Sequence, residues 1–298
     1  MGLACMVALV LSTTIVDVDP WMETVCSTLS HIPCAAKRDA MYASLSTTDI
    51  DWTAVAMESR VLVDPKGGVN TWGAEVMDSR SVRFVVGMLD GSISPTRSML
   101  ASIGTQFGHD VRDLAANVDV MVNPEEALHV TLASLSSPSE PCPVSDPTLA
   151  AQELRSMHSL ASRARDRDLL PLHLSLHSIV LTSNGVLLAL WTPHNALQSP
   201  EALRILLRSG FASSTPCPVP HRQPRFILHS TLARIVVRGG GHHQVPRSLV
   251  EKALTRARSS LSSTSPSSPL TTSLSHLVYC IEQSVKSALL FPHQCTTL

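Results

Sequence analysis

The chain is short of the features that would place a protein at a glance. Aromatic residues make up only 4% of it, so a core must be built mainly from Leu, Val, Ile, Ala and Met. Neither sign of charge dominates. A formal net charge of −1 gives no global pull toward nucleic acid or an anionic membrane, and contact with either would need a local basic patch. The seven cysteines include no Cys-x-x-Cys pair and are odd in number. In a chain long enough to fold without disulfide staples they read as mostly reduced thiols of a cytosolic-type compartment. Cys142 and Cys217, each flanked by prolines, read as loop residues rather than nucleophiles. No apolar run reaches the ~20 residues of a membrane span. Leu3 to Val16 comes nearest, but no Lys or Arg precedes it and Ser12-Thr13-Thr14 interrupts it. It reads as a buried strand or short helix in preference to a signal peptide. Gly2 lacks the Ser or Thr at position 6 that myristoylation prefers; Met6 stands there. Ligand clusters of metal-site spacing are missing as well. His242-His243 stands without further Cys, His or carboxylate partners and reads as a solvated loop.

What is present is enough apolar residue, 44% of 298, to bury one large domain or a domain with an extension. Residues 1–80 show weak periodicity and one clear turn, Pro65-Lys66-Gly67-Gly68. From Ser81 the pattern sharpens. A strand is expected over Val82–Leu89, stopped by Asp90-Gly91, then a helix over Pro95–Ala116 with a break marked by Gly104 and Gly108. Asn123-Pro124 introduces a strand over Ala127–Leu135. A Ser- and Pro-rich loop leads to a helix over Thr148–Asp168, with Leu149, Leu154, Met157, Leu160 and Ala161 on one face and arginines on the other. Two strands, Leu172–Leu181 and Val186–Trp191, flank the turn pair Asn184-Gly185. A helix should run from Ser199-Pro200-Glu201 to Gly210, a strand over Phe226–Val237 and a helix over Pro246–Arg258. Ser259–Ser268 reads as a flexible loop and His276–Gln283 as a closing strand, continued by Lys286–Leu290. The mixture of strands and helices predicts an α+β domain with helices packed on sheets.

Two of the expected strands carry nearly the same six residues: LHVTLA at Leu128–Ala133 and LHSTLA at Leu228–Ala233. Side chains alternate along a strand. His129 and Thr131 therefore share one face, with Leu128, Val130 and Leu132 on the other; His229 and Thr231 lie opposite Leu228, Ser230 and Leu232. Each strand offers an imidazole beside a hydroxyl, backed by apolar residues. Ser230 interrupts the backing and needs a partner. Two imidazoles about one phosphate suit in-line displacement, one taking the proton of the attacking oxygen and the other supplying the leaving oxygen. A pKa of about 6.5 fits both tasks. The Thr hydroxyls can hold the non-bridging oxygens, where charge gathers. His173 and His177, on one strand face, read as solvent-facing, and Arg222, Arg225, Arg234 and Arg238 flank the second motif as candidate phosphate ligands or plain surface charge.

These motifs, with the Pro-led approach Pro124-Glu125-Glu126-Ala127 before the first and Arg234 three residues past the second Thr, resemble the two-histidine (2H) phosphoesterase superfamily, which includes the LigT-like RNA ligase/cyclic phosphodiesterase enzymes. The resemblance covers residues 81–298. It implies two pseudo-symmetric lobes of antiparallel sheet with helices outside and a central cleft, preceded by an extension over residues 1–80. By it, His129 and His229 are the catalytic pair, and Thr131, Thr231 and Arg234 bind the substrate phosphate. The implied activity is a metal-independent, cofactor-free phosphodiesterase acting on a cyclic phosphate or 2′-5′ phosphodiester of a nucleotide or RNA end. A monomer in the cytoplasm is expected, with neither DNA nor membrane as partner. The alternative is a non-catalytic nucleotide- or RNA-binding module on the same fold. Many members follow the first motif with an aromatic residue and Gly; here Ser134-Leu135-Ser136 leaves subgroup and substrate open.

Overall fold

The computed structural model describes residues 32–45, 49–62, 83–90, 95–113, 118–136, 146–195, 198–214, 227–237, 245–264, 269–281 and 294–298. Two helices open it, α1 (Ile32–Leu45) and α2 (Trp52–Leu62). There follow β1 (Arg83–Met88), α3 (Thr96–Arg112), β2 (Val118–Val122), a 3₁₀ turn at Glu125–Ala127 and β3 (His129–Ser134). The rest runs α4 (Pro147–Asp166), β4 (Leu172–Leu181), β5 (Val186–Pro193), α5 (Pro200–Ser214), β6 (His229–Val237), α6 (Arg247–Thr264), β7 (Thr271–Leu274), β8 (Leu277–Ile281) and β9 (Gln294–Thr297).

The strands form two wholly antiparallel sheets, as the resemblance implied. One has the order β3-β1-β8-β9, the other β2-β6-β5-β4-β7. The halves of the chain are interlocked, because β2 leaves the first half to pair with β6 while β8 returns to pair with β1. Helix α3 packs on β2 and β6, whereas α5 packs on β3 and against α4. One main core runs between the sheets and these helices, joining Val85, Leu100, Phe107, Val130, Leu132, Trp191, Leu207, Leu232 and Ile235. A smaller apolar cluster sits on the opposite face of each sheet. Phe84, Val86 and Cys280 form it on the first sheet; Val180, Val186, Leu188 and Leu190 form it with Tyr42 of α1 on the second.

Several elements depart from the sequence expectations, each for a packing reason. Helix α3 is unbroken: Gly104 is there because a Cβ would lie 2.9 Å from the Leu232 carbonyl oxygen. Helix α5 runs past Gly210, where a Cβ would collide with the Leu160 side chain of α4, so this glycine brings two helices together rather than stopping one. Helix α6 continues into the serine stretch expected to be loop, and the hydroxyls of Ser259 and Ser260 turn back to the Arg256 carbonyl. Cys280 and Cys295, expected as thiols, are register partners on β8 and β9 and form a disulfide. Their 15-residue separation carries no motif; strand pairing brings them together. The segments around Leu3–Val16, Cys142, Cys217, His242-His243 and Lys286–Leu290, with Arg222, Arg225 and Arg238, lie outside the described residues.

Helices α1 and α2 belong to the stretch read as an extension, and both pack on the second sheet. Val55 of α2 enters the main core, the Asp51 amide donates to Ser183 O at 2.8 Å, and Ser59 Oγ accepts the Val237 amide at 2.9 Å. Among the described residues no helix is long and apolar enough to cross a membrane.

Candidate active site

Each LHxTLA segment enters its strand and then breaks it in the same place. Along β3, Thr131 is opposite Val86 and Ala133 opposite Val85, so Leu132 is an extra residue without a partner. Along β6, Thr231 is opposite Leu188 and Ala233 opposite Leu187, leaving Leu232 as the extra residue. These are β-bulges one residue past the Thr of each motif. The bulge has a packing consequence. Strict alternation would send Leu132 and Ala133 to opposite faces, yet both are buried in the main core, as are Leu232 and Ala233. His129 and Thr131 are left on the other face with Met88 and Val86, and His229 and Thr231 with Leu190 and Leu188. The interrupting Ser230 has its partner: Trp191 Nε1 donates to its hydroxyl at 3.0 Å.

A bulge frees carbonyls that the ladder would otherwise engage, and buried carbonyls need donors. In β3 the buried Arg204 of α5 serves both: Nε donates to Leu132 O at 3.0 Å and Nη2 to Thr131 O at 3.1 Å. In β6 the buried Asn123 does so: its amide N–H donates to Leu232 O at 2.9 Å and its Nδ2 to Thr231 O at 2.8 Å. Burial pushes the Arg204 guanidinium below the ordinary arginine value, and Glu201, Tyr42 and Arg38 all act on it.

β3, the edge strand of its sheet, packs against β6 of the other, so the two motifs lie side by side where the sheets meet. His129 is 5% exposed, and its Nδ1 lies 2.8 Å from Ala127 O. A carbonyl can only accept, so Nδ1 carries the proton. His229, Thr131 and Thr231 are half-buried. Arg234 is half-buried on the His229 face and donates to Glu58 Oε2 of α2 at 2.8 Å; burial lowers its pKa and Glu58 raises it. His173 and His177 are exposed, as expected, with His177 tilted against the Tyr42 ring at 5.0 Å. Among the described residues no three or more His, Cys, Asp or Glu side chains gather as a metal site.

Neither a protein-family model nor a curated protein sequence matches the chain. Solved structures do resemble it. E. coli LigT complexed with 3′-AMP aligns at 16% identity over 73% of this chain and 95% of its own, with a TM-score of 0.36. Kluyveromyces marxianus Usb1 with uridine monophosphate aligns at 12% identity over 74% and 99%, with a TM-score of 0.41. TT0787 of Thermus thermophilus aligns at 19% identity over 73% and 94%, with a TM-score of 0.42.

The sequence reading missed Arg204 and Asn123. The sign of Arg204 was there to see: it falls beside the helix stripe of Leu203, Leu207 and Phe211, where a charge must find partners in the interior. Asn123 read only as the residue that ends a segment before Pro124.

Proposed function

We propose that this chain is a two-histidine phosphodiesterase that opens a 2′,3′-cyclic phosphate or cleaves a 2′-5′ phosphodiester at the end of a nucleotide or RNA. The observation that carries the reading is the repeated strand: two strands packed on each other each hold a His and a Thr on the face away from the main core, and each bulges one residue past the Thr. In the proposed reaction one imidazole takes a proton from water as the water oxygen bonds to phosphorus. The other imidazole gives a proton to the ester oxygen as its bond to phosphorus breaks, so charge and protons balance without a metal. Thr131 and Thr231 hydroxyls hold the non-bridging oxygens. Arg234 supplies positive charge beside them, tempered by Glu58. The tautomer of His129 fits either role, since its Nε2 can accept or return a proton while Nδ1 stays on Ala127 O.

The test is incubation of the full chain with 2′,3′-cyclic nucleotides and 2′-5′- and 3′-5′-linked dinucleotides, with and without EDTA, beside the His129→Ala/His229→Ala double variant. Turnover of a cyclic or 2′-5′ substrate, insensitive to EDTA and lost in the double variant, is expected. Loss with EDTA and recovery with one divalent metal contradicts the mechanism. Tight binding of the whole panel with no turnover would make the chain a nucleotide-binding module.

A further inference from the structure

We propose that Arg204 and Tyr42 are positioning residues, Arg204 tying the two His-x-Thr strands together and Tyr42 setting the residues that lead into His229, which makes helix α1 a working part of the site. The proposal rests on the phosphodiesterase reading for its activity readout. The guanidinium of Arg204 reaches beyond β3: the Nη2 that donates to Thr131 O also donates to Ile227 O at 2.9 Å. One planar, buried group thus holds the first motif and the residue two places before His229. A lysine has the charge but not the rigid fork that meets three carbonyls.

Tyr42 acts on the next residue. In an antiparallel ladder, facing residues of a hydrogen-bonded pair exchange both N–H···O bonds. Trp191 and Leu228 form such a pair on one side only, where the Trp191 amide donates to Leu228 O at 2.9 Å. On the other side the Tyr42 hydroxyl is inserted. It accepts the Leu228 amide at 3.0 Å and donates to Trp191 O at 2.5 Å, with Leu228 O at 3.1 Å as a second acceptor. The phenol holds the strands apart immediately before His229. It is 2% exposed and sits between β4, β5 and β6 on the face that carries His229 and Thr231.

The two residues belong to one buried cluster. Arg38, one turn before Tyr42 on α1, is ion-paired with Glu201, one turn before Arg204 on α5. The clasp Arg38–Glu201 locks the helices that carry Tyr42 and Arg204, and these hold Ile227 and Leu228, which lead into His229, together with Thr131 and Leu132 of the first motif. A helix that merely covered the sheet would need neither a hydroxyl within the ladder nor a buried charge pair; apolar side chains would serve.

The experiment compares the wild type with Tyr42→Phe and Arg204→Lys. It measures kcat, KM, the pH profile of kcat/KM and the imidazole ¹⁵N signals of His129 and His229. Tyr42→Phe keeps the ring packing and carries the test alone if Arg204→Lys does not fold. The expected result for Tyr42→Phe is a folded protein with kcat lowered about 10- to 100-fold, KM within about 3-fold, a displaced pH profile and shifted His229 signals beside unshifted His129 signals. Arg204→Lys should move both imidazoles. Folded variants with wild-type kcat, pH profile and imidazole signals would overturn the proposal. If the wild type turns over no substrate, the phosphodiesterase reading fails and the imidazole signals alone decide: displaced signals uphold the clasp, and unchanged ones refute it.

Discussion

In the first motif the two carbonyls freed by the bulge are held by one guanidinium arriving from a helix about 70 residues further on; in the second they are held by the amide and side chain of Asn123, which lies in the other half of the chain. The approaches differ as well. A 3₁₀ turn feeds β3 and lets His129 bond back to Ala127, whereas β6 is entered past a phenol from α1. His129 is buried in an edge strand, and His229 is half-buried in a strand flanked on both sides. The comparison separates what a site must repeat from what it need not. Imidazole, hydroxyl and bulge are duplicated, and in the proposed reaction the imidazole and hydroxyl of each strand serve the same phosphate. The supports are not, because any donor of the right reach satisfies a buried carbonyl.

The largest expected effect tests the duplicated part. His129→Ala and His229→Ala should each lower turnover roughly 10²- to 10⁴-fold. The double variant should fall little further, since the two act as a unit. Steady-state rates on the same substrate check this, and additive losses would show that the two histidines do not act as a unit.

The next effect separates the supports. Burial pushes the Tyr42 hydroxyl from 10.0 up to about 12. Below pH 10 both folded and unfolded chains keep the proton, and stability is undiminished. Between pH 10 and about 12 the unfolded chain ionises first, so stability falls as pH rises. At about 1.4 kcal/mol per unit, the wild type should lose some 2–3 kcal/mol more over this interval than Tyr42→Phe does. Urea melts of both proteins at each pH measure the difference.

A smaller effect should follow from Asn123→Ala, which strands Thr231 O and costs about 1–3 kcal/mol. Because the hydrogen bonds of Asn123 go to the second motif, His229 signals should move more than those of His129. The smallest concerns Arg234. Glu58→Gln removes the neutralising carboxylate, and KM should fall by about 2- to 5-fold with kcat unchanged if Arg234 faces the phosphate. An unchanged KM would leave Arg234 a structural partner of α2.

The repeat was legible because its chemistry is local: two short segments, each on a β-rich run, place imidazole beside hydroxyl by alternation alone. The bulges were not. Nothing in Leu132-Ala133 or Leu232-Ala233 marks a lost residue of register, and only the need to bury both side chains in one core explains it. Helices α1 and α2 were missed because polar side chains interrupt the faces they bury. The burial of Arg38, Tyr42 and Ser59 depends on Glu201, Leu228 and Val237, distant in the chain. The short strands β2, β7 and β9 escaped for a related reason: four or five residues carry little periodicity, and pairing partners define them.

Whether the two motifs serve a single phosphate can be read at the two imidazole rings. Titrating 3′-AMP into the full chain while following the imidazole signals of His129 and His229 asks whether one ligand reaches both rings. A single phosphate shared by both should displace the two sets of signals with the same Kd, and replacing either His with Ala should weaken binding seen at the other. Displacement of one ring alone, or two rings that respond with different Kd values, would contradict it.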